Sequence, residues 1–288
     1  MSIAKKLMCK LRLAASNWQK QPTAPRLTPA AQSIQSTSTV EPAGEGCVLS
    51  GVCPVCGSHS RFTGFTDNPR ESGRCSSCQS FNRQRQMAYL IRQQCGLPQA
   101  GGWHFPSGFV IYNTETTGAL HLQLRELPDY VCSEYFGDEH KSGEMVDGRR
   151  HEDLQALSFA DRSLDLVMSS DVLEHMPDPY AAHAEIFRVL KPGGRHIFTV
   201  PYSPLLAEDQ VRAKIVDGEI VYLEEKAFHG DPVRPDEGVL VWTVFGLSML
   251  DRLRSLGFEA AEWDLDKPTH GIIGPGALIF EAKKPFAT

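Results

Sequence analysis

Between residues 153 and 202 the chain alternates apolar runs with polar stops in an order that predicts strand, helix, tight turn and strand. Residues 164–168 are a short apolar run. The turn-forming Ala160-Asp161-Arg162-Ser163 precedes it and Ser169-Ser170-Asp171 stops it, as for a buried strand. After Pro179 the apolar residues Ala182, Ile186, Val189 and Leu190 recur at helical spacing. Lys191-Pro192-Gly193-Gly194 ends that helix, because proline cannot continue it and glycine tolerates a left-handed turn. Residues 196–200 form the next strand. Such a unit is a right-handed crossover in a parallel sheet. Ligands of open parallel sheets bind beyond the carboxyl ends of the strands, which is where Ser169-Ser170-Asp171 and Pro201-Tyr202 fall.

The same reading extends in both directions. Residues 109–113 read as a strand, followed by the loop Thr114-Glu115-Thr116-Thr117-Gly118 and a helical pattern in Leu120, Leu122, Leu124 and Leu127. A further strand covers 130–133 and ends at Glu134. From Asn113 to Glu134 is 21 positions, the distance at which a mononucleotide-binding unit sets an acid on ribose hydroxyls. Towards the C-terminus a helix over 247–256 turns Leu250, Leu253 and Leu256 inward and stops at Gly257. Residues 260–263 and 277–282 read as strands. Strands and helices in alternation predict an α/β, doubly wound sheet over 105–288. A long insertion at about 203–245 interrupts it, and insertions of this length in compact domains are usually functional.

The N-terminal part is built differently. Ala4, Leu7, Met8, Leu11, Ala15 and Trp18 fall on one helical face, with Lys5, Lys6, Lys10 and Lys20 as its polar complement. Such a basic amphipathic helix suits an anionic membrane surface or a protein partner, and a frayed tail fits the same residues. Residues 21–46, rich in Pro, Thr, Ser, Ala and Gln, read as a disordered linker.

Cysteine spacing then changes the picture. Cys53-Pro-Val-Cys56 and Cys75-Ser-Ser-Cys78 are separated by 18 residues, the spacing of a zinc ribbon. Each pair puts two thiolates on one side of a tight turn, and two pairs close a structural tetrahedral site. Cys9, Cys47, Cys95 and Cys132 are left as plain thiols. Through this region, ribbon plus helix over 47–95, six arginines (Arg61, Arg70, Arg74, Arg83, Arg85, Arg92) face only Asp67 and Glu71. They form either a solvated face or a grip for phosphates. Residues 83–94 predict a helix that buries Met87, Leu90 and Ile91.

The net charge of −6 argues against a general nucleic-acid binder. No run of 18 apolar residues exists to span a bilayer, and the start lacks the apolar core of a secretory signal. With metal-type cysteine spacing, a cytoplasmic protein, peripheral to a membrane if its first 20 residues dock there, is expected.

The stretch Asp153-Leu154 followed by SFADRSLDLVMSSDVLEHMPDP and FRVLKPGG resembles class I S-adenosylmethionine-dependent methyltransferases with a methyltransferase type 11 domain, over roughly residues 105–283. The resemblance implies a Rossmann-like seven-stranded sheet whose last strand is antiparallel. It places the ribose acid on Glu134, the adenine contacts on Asp153 and Leu154, and the sulfonium neighbours on Ser169, Ser170 and Asp171. It adds Asn113, Thr114, Glu115 and Gly118, on the first strand and its loop, as cofactor contacts. The family's glycine-rich first loop is here glycine-poor: Thr114 and Thr116 stand at glycine positions, and Tyr112 at the acidic one. Threonine crowds a cofactor that glycine would admit, unless the hydroxyls or Glu115 take over its contacts.

A base is needed only where the methyl acceptor must lose a proton. His229, His175, Tyr202 and Asp171 are the candidates, His229 first because it sits in the insertion. Three functions remain open on the residues: methylation of a small-molecule or sugar- or nucleotide-linked acceptor, methylation of RNA through the ribbon arginines, and a non-catalytic binding protein on the same frame.

Overall fold

The computed structural model describes residues 47–230, 238–274 and 278–286. The amphipathic pattern of residues 1–20, the linker at 21–46 and the Asp231-Pro232 part of the insertion lie outside these.

The ribbon comes first. Strands β1 (Leu49–Val52), β2 (His59–Thr63) and β3 (Arg74–Cys75) form a three-stranded antiparallel sheet. Helix α1 (Asn82–Gln94) follows and buries Met87, Leu90 and Ile91. It also buries Arg85 and Arg92 completely, which the charge count alone does not foresee. Arg85 donates to the carbonyls of Ser80 and Gly271, the latter at 3.0 and 2.8 Å. Arg92 donates to Pro54, Pro98 and Gly101 at 2.7–2.9 Å and lies over the Trp103 ring. Guanidinium groups saturated by carbonyls are structural staples, so these two arginines offer nothing to phosphate.

The large sheet uses β4 (Ile111–Asn113), β5 (Tyr130–Cys132), β6 (Leu164–Ser170), β7 (Leu190–Thr199), β8 (Glu259–Asp264) and β9 (Leu278–Lys283). Its order is β8-β9-β7-β6-β4-β5. Strands β5, β4, β6 and β7 are parallel; β9 inserts antiparallel between β7 and β8. The sheet therefore has six strands among the described residues, not seven. Beyond β5 stands only a parallel bridge, Glu134 to His151. The preceding segment spends its hydrogen bonds on its own hairpin, Met145–Val146 with Arg149–Arg150.

Helix α2 (Gly118–Leu124) follows β4, and α3 (Pro179–Val189) joins β6 to β7. Asp178 caps α3, accepting from the amides of Tyr180 and Ala181. Strand β7 already begins at Leu190, so the Lys-Pro-Gly-Gly turn is absorbed as an irregularity: Leu164 pairs with Leu190 and Leu166 with Arg195. A Cβ on Gly194 would stand 2.9 Å from the Lys191 carbonyl oxygen, and that crowding is what only glycine avoids there. Helix α4 (Ser248–Ser255) buries Met249 and Leu253, while Leu250 and Leu256 are half-buried.

One hydrophobic cluster contains ribbon residues (Val55, Phe62, Phe65), α1 residues (Leu90, Ile91) and sheet residues (Ile111, Leu166, Met168, Ile197). Ribbon and sheet thus share a core, with α1 covering one sheet face. The other face carries a second cluster with Val167, Phe198 and the inward side of α3. No helix among the described residues is long and apolar enough to cross a membrane.

Candidate active site

The four cysteines of the ribbon converge. Their sulfurs lie within 4.8 Å of one another, Cys53 Sγ and Cys78 Sγ at 3.8 Å. The two knuckles repeat one backbone turn. Gly57 N–H donates to Cys53 O at 2.7 Å and Gln79 N–H to Cys75 O at 3.0 Å, each from a left-handed residue. Sulfurs held about 2.3 Å from a tetrahedral zinc would stand roughly 3.8 Å apart, so the donor set fits that ion.

At the carboxyl ends of β4 and β6 lies a cavity of about 900 Å³. The sheet gives it Glu134, Ser170 and Asp171; the loop after β4 gives Thr114, Glu115 and Gly118. The ribbon contributes as well: Arg70, Glu71 and Arg83 line the same cavity. Arg70 and Arg83 lie 101 and 87 positions from their sheet partners Asp171 and Ser170, too far for sequence reasoning to pair them. Arg70 donates both Nη atoms to the Asp171 carboxylate at 2.7 and 2.5 Å. Arg83 forks onto Glu71 at 2.7 and 3.1 Å and donates to Ser170 Oγ.

Asp171 sits in left-handed backbone, φ +54°, which aspartate tolerates better than most residues. Burial pushes its carboxyl up, but Arg70, Arg83 and the Thr199 hydroxyl at 2.9 Å outweigh that and hold it well below the usual aspartate range. Glu115 has the opposite balance. Desolvation dominates over Arg83, and Glu134 and Asp171 add like charge, so it is pushed up to about 7.

Glu134 reaches the loop after β4. Its Oε1 accepts from Thr116 N–H at 3.0 Å and Thr116 Oγ1 at 2.7 Å. Thr114 Oγ1 is buried without a hydrogen-bond partner. Asn113 is buried beneath the loop, donating to Glu115 O and Tyr130 Oη. Tyr112, at the family's acidic position, is likewise buried and bonds Ser133 Oγ at 2.7 Å.

Four expected contacts stay out of the cavity, Asn113 beneath the loop being one. Ser169 is fully buried and pairs with His196 Nε2 at 2.9 Å. Side chains alternate along a strand, so Ser169 shares the face of Val167 while Ser170 faces the site; that alternation is the signal the sequence offered. Asp153 folds its carboxylate back onto the amide of Gln155 at 2.8 Å. Leu154 joins the core behind the sheet.

The insertion lies over the cavity: Phe228, His229 and Gly230 line it, as do His175 and Tyr202. The insertion is tied down by Trp242 N–H to Glu174 O at 2.7 Å and by His175 Nδ1 to Leu240 O at 2.9 Å. His229 Nδ1 stands 3.2 Å from His175 Nε2. Glu174, between Leu173 and His175 in the sequence and absent from the expected site, lies 3.4 Å from His229.

Residues 129–198 match the family model described as "Methyltransferase domain". An uncharacterized methyltransferase of Mycobacterium avium (strain 104) is 32% identical over 109 residues, 37% of this chain and 42% of the relative. One from Mycobacterium marinum (strain ATCC BAA-535 / M) is 33% identical over 101 residues, 34% of this chain and 38% of the relative. The chain thus spans about two fifths of the length of these curated relatives. Among solved structures, the complex between the Haloferax volcanii Trm112 methyltransferase activator and the putative methyltransferase aligns at TM-score 0.39 with 16% identity, over 70% of this chain and 92% of that one. The Burkholderia thailandensis 1,6-didemethyltoxoflavin-N1-methyltransferase, with bound 1,6-didemethyltoxoflavin and S-adenosylhomocysteine, aligns at TM-score 0.38 with 14% identity, over 70% of this chain and 78% of that one. The segment that carries the sequence motifs is the segment the family model matches, so residues 129–198 are similar to a methyltransferase domain.

Proposed function

We propose that the protein is an S-adenosylmethionine-dependent methyltransferase acting on a small-molecule or sugar- or nucleotide-linked acceptor, with a structural zinc on Cys53, Cys56, Cys75 and Cys78. The observation that carries this reading is the cavity itself. It has the volume of a small-ligand site, it opens at the carboxyl edge of the parallel strands, and it is walled by ribbon and insertion.

The residues present suit a nucleoside cofactor. Glu134 Oε1 is taken by Thr116, yet a carboxylate has several acceptor sites, so its second oxygen remains for ribose hydroxyls. Thr114 Oγ1, buried and unbonded, and Glu115 are the groups beside the loop that would meet the amino-acid part. Ser170 and Asp171 would lie nearest the reacting centre. The bound cofactor supplies an already activated methyl group. The protein's part is to align the acceptor and exclude water, which the insertion over the cavity suits. His175, His229 and Tyr202 line the cavity, and on this reading one of them would hold an acceptor oxygen or receive its proton.

Calorimetry with S-adenosylhomocysteine tests this. Saturable binding in the micromolar range is expected, and its absence would reduce the protein to a binding module on the same frame. The RNA reading loses support from four arginines: Arg85 and Arg92 are buried, and Arg70 and Arg83 are held by acids of the cavity. Arg61 and Arg74 stay exposed. RNA retention abolished by alanine at both would revive it.

A further inference from the structure

We propose that Glu174, His175 and His229 form a binding site for one divalent transition-metal cation, separate from the cysteine site and open towards the cavity. Three observations carry it. First, the ligand atoms converge. His229 Nδ1 to His175 Nε2 is 3.2 Å, His229 Nδ1 to Glu174 Oε1 is 3.4 Å, and His175 Nε2 to Glu174 Oε1 is 3.7 Å. A cation about 2.0–2.2 Å from each of three tetrahedrally disposed nitrogen and oxygen ligands sets them roughly 3.3–3.5 Å apart, and the triangle brackets that value.

Second, the Glu174 side chain is fully buried and neither carboxylate oxygen receives a hydrogen bond. Buried carboxylates are paired or bind metal. The partners it faces are imidazole nitrogens at distances too long for good hydrogen bonds and suitable for sharing a cation.

Third, the surroundings orient the ligands. His175 Nδ1 lies 2.9 Å from the Leu240 carbonyl. The nitrogen must donate there, which leaves the Nε2 lone pair for a metal, the usual support of a metal-bound histidine. The insertion also holds the Glu174 backbone, through Trp242, so the strand pair bearing His229 and the loop bearing Glu174 and His175 are fixed against each other. Two neutral imidazoles and one carboxylate carry a single negative charge, and such donors suit zinc, cobalt or iron(II).

Among the described residues three protein ligands converge, the number that catalytic sites use while leaving a position for water or substrate. His175 and His229 line the cavity, so the open position faces whatever occupies it. Given the methyltransferase reading, on which this step alone rests, the cation would hold the acceptor's oxygen and ease release of its proton to solvent water, since both imidazoles are then committed to the cation. The oxygen–methyl bond would form as the cofactor's sulfur–methyl bond breaks, leaving S-adenosylhomocysteine. The acceptor class is then an alcohol, phenol or vicinal diol.

The test is a Co²⁺ titration of the full-length, zinc-loaded protein, followed by visible absorption and calorimetry. One Co²⁺ per chain should bind beyond the ribbon metal, with d–d bands and no thiolate charge-transfer band. His229→Ala and Glu174→Gln should each weaken it at least tenfold, the loss expected when a ligand is removed. Thermal melts report whether the variants fold. Should Glu174→Gln unfold, His229→Ala, a change in the insertion, carries the comparison. No Co²⁺ uptake at millimolar concentration, or uptake unchanged in a folded His229→Ala protein, overturns the proposal. S-Adenosylhomocysteine calorimetry on the same samples keeps the two readings apart. Cofactor binding without Co²⁺ binding sinks the metal site alone; Co²⁺ binding without cofactor binding sinks the methyltransferase reading alone.

Discussion

Thr116 donates its amide and its hydroxyl to one oxygen of Glu134, at 3.0 and 2.7 Å. A threonine of the glycine-poor loop therefore holds the acid expected to bind ribose. The loop is fixed in an ordered turn by this bond, and the cofactor must either share the carboxylate or displace the hydroxyl.

Competition of this kind has a measurable sign. Thr116→Val keeps the shape and the amide bond and removes only the hydroxyl. S-Adenosylhomocysteine should bind more tightly, by about 1 kcal/mol or roughly fivefold, the worth of one hydrogen bond. Glu134→Ala should act the other way and weaken binding by about 1.5–3 kcal/mol. If calorimetry finds Thr116→Val no tighter than the parent, the threonine is a helper of the cofactor rather than its rival.

The ribbon metal should matter beyond the ribbon. Ribbon residues share a core with the sheet, and α1, which follows the second cysteine pair, carries Arg83 into the cavity. Cys75→Ser should abolish the zinc bound at the four cysteines, lower the melting temperature and weaken S-adenosylhomocysteine binding together. A variant that loses zinc yet binds the cofactor like the parent would show that the cavity wall stands without the metal.

Much of this arrangement was legible in the sequence. The strand–helix–strand unit and the cysteine pairs follow from local periodicity and spacing, which short-range chemistry fixes; the antiparallel direction of the last strand came from the family resemblance and not from its own residues. What was not legible depends on contacts between distant segments. Arg70 meets Asp171, and Arg85 ends on the Gly271 carbonyl; no local pattern distinguishes such an arginine from a solvated one. Nothing local singles out Glu174, because the residue it faces, His229, comes 55 positions later. Ser169 was within reach of strand alternation and differs from Ser170 only by the face it takes. The seventh strand failed because a hairpin closed its hydrogen bonds locally.

Two histidines behind the sheet give the protein an acid-side weakness. His183 is fully buried, neither ring nitrogen has a hydrogen-bond partner, and desolvation pushes it down to about 3. His196, 5.4 Å away, is likewise held well below its ordinary value by burial, and His183 adds to it. The unfolded chain protonates such a group near pH 6.5, the folded chain only far lower. Stability from His183 is therefore intact above about pH 6.5 and declines as pH falls towards 3, by up to about 1.4 kcal/mol per pH unit. His183→Leu should flatten that decline while changing little at pH 8. Urea melts between pH 4 and 8 that keep the parent's slope would exclude His183 as its source.

The clamp between ribbon and sheet predicts a different pH signature. Asp171 balances Arg70 and Arg83 from a largely buried position. Asp171→Asn removes the charge but not the volume, and leaves two guanidiniums facing each other across the amide. Loss of charge-assisted hydrogen bonds of this kind costs about 2–3 kcal/mol, a fall of roughly 4–12 °C in melting temperature for a domain of this size. Because the folded carboxyl lies below its unfolded value, the clamp contributes fully above about pH 4 and is lost as pH falls further. The gap between parent and Asp171→Asn should thus be open at pH 8 and close below pH 4, with a smaller change near pH 7 where Glu115, whose carboxyl Asp171 helps push up, titrates. Salt should narrow it little, since burial shields the pair from counter-ions. A gap that closes in high salt at pH 7 would mean that Arg70 and Asp171 meet in solvent, and that the ribbon does not wall the cavity as firmly as this contact implies.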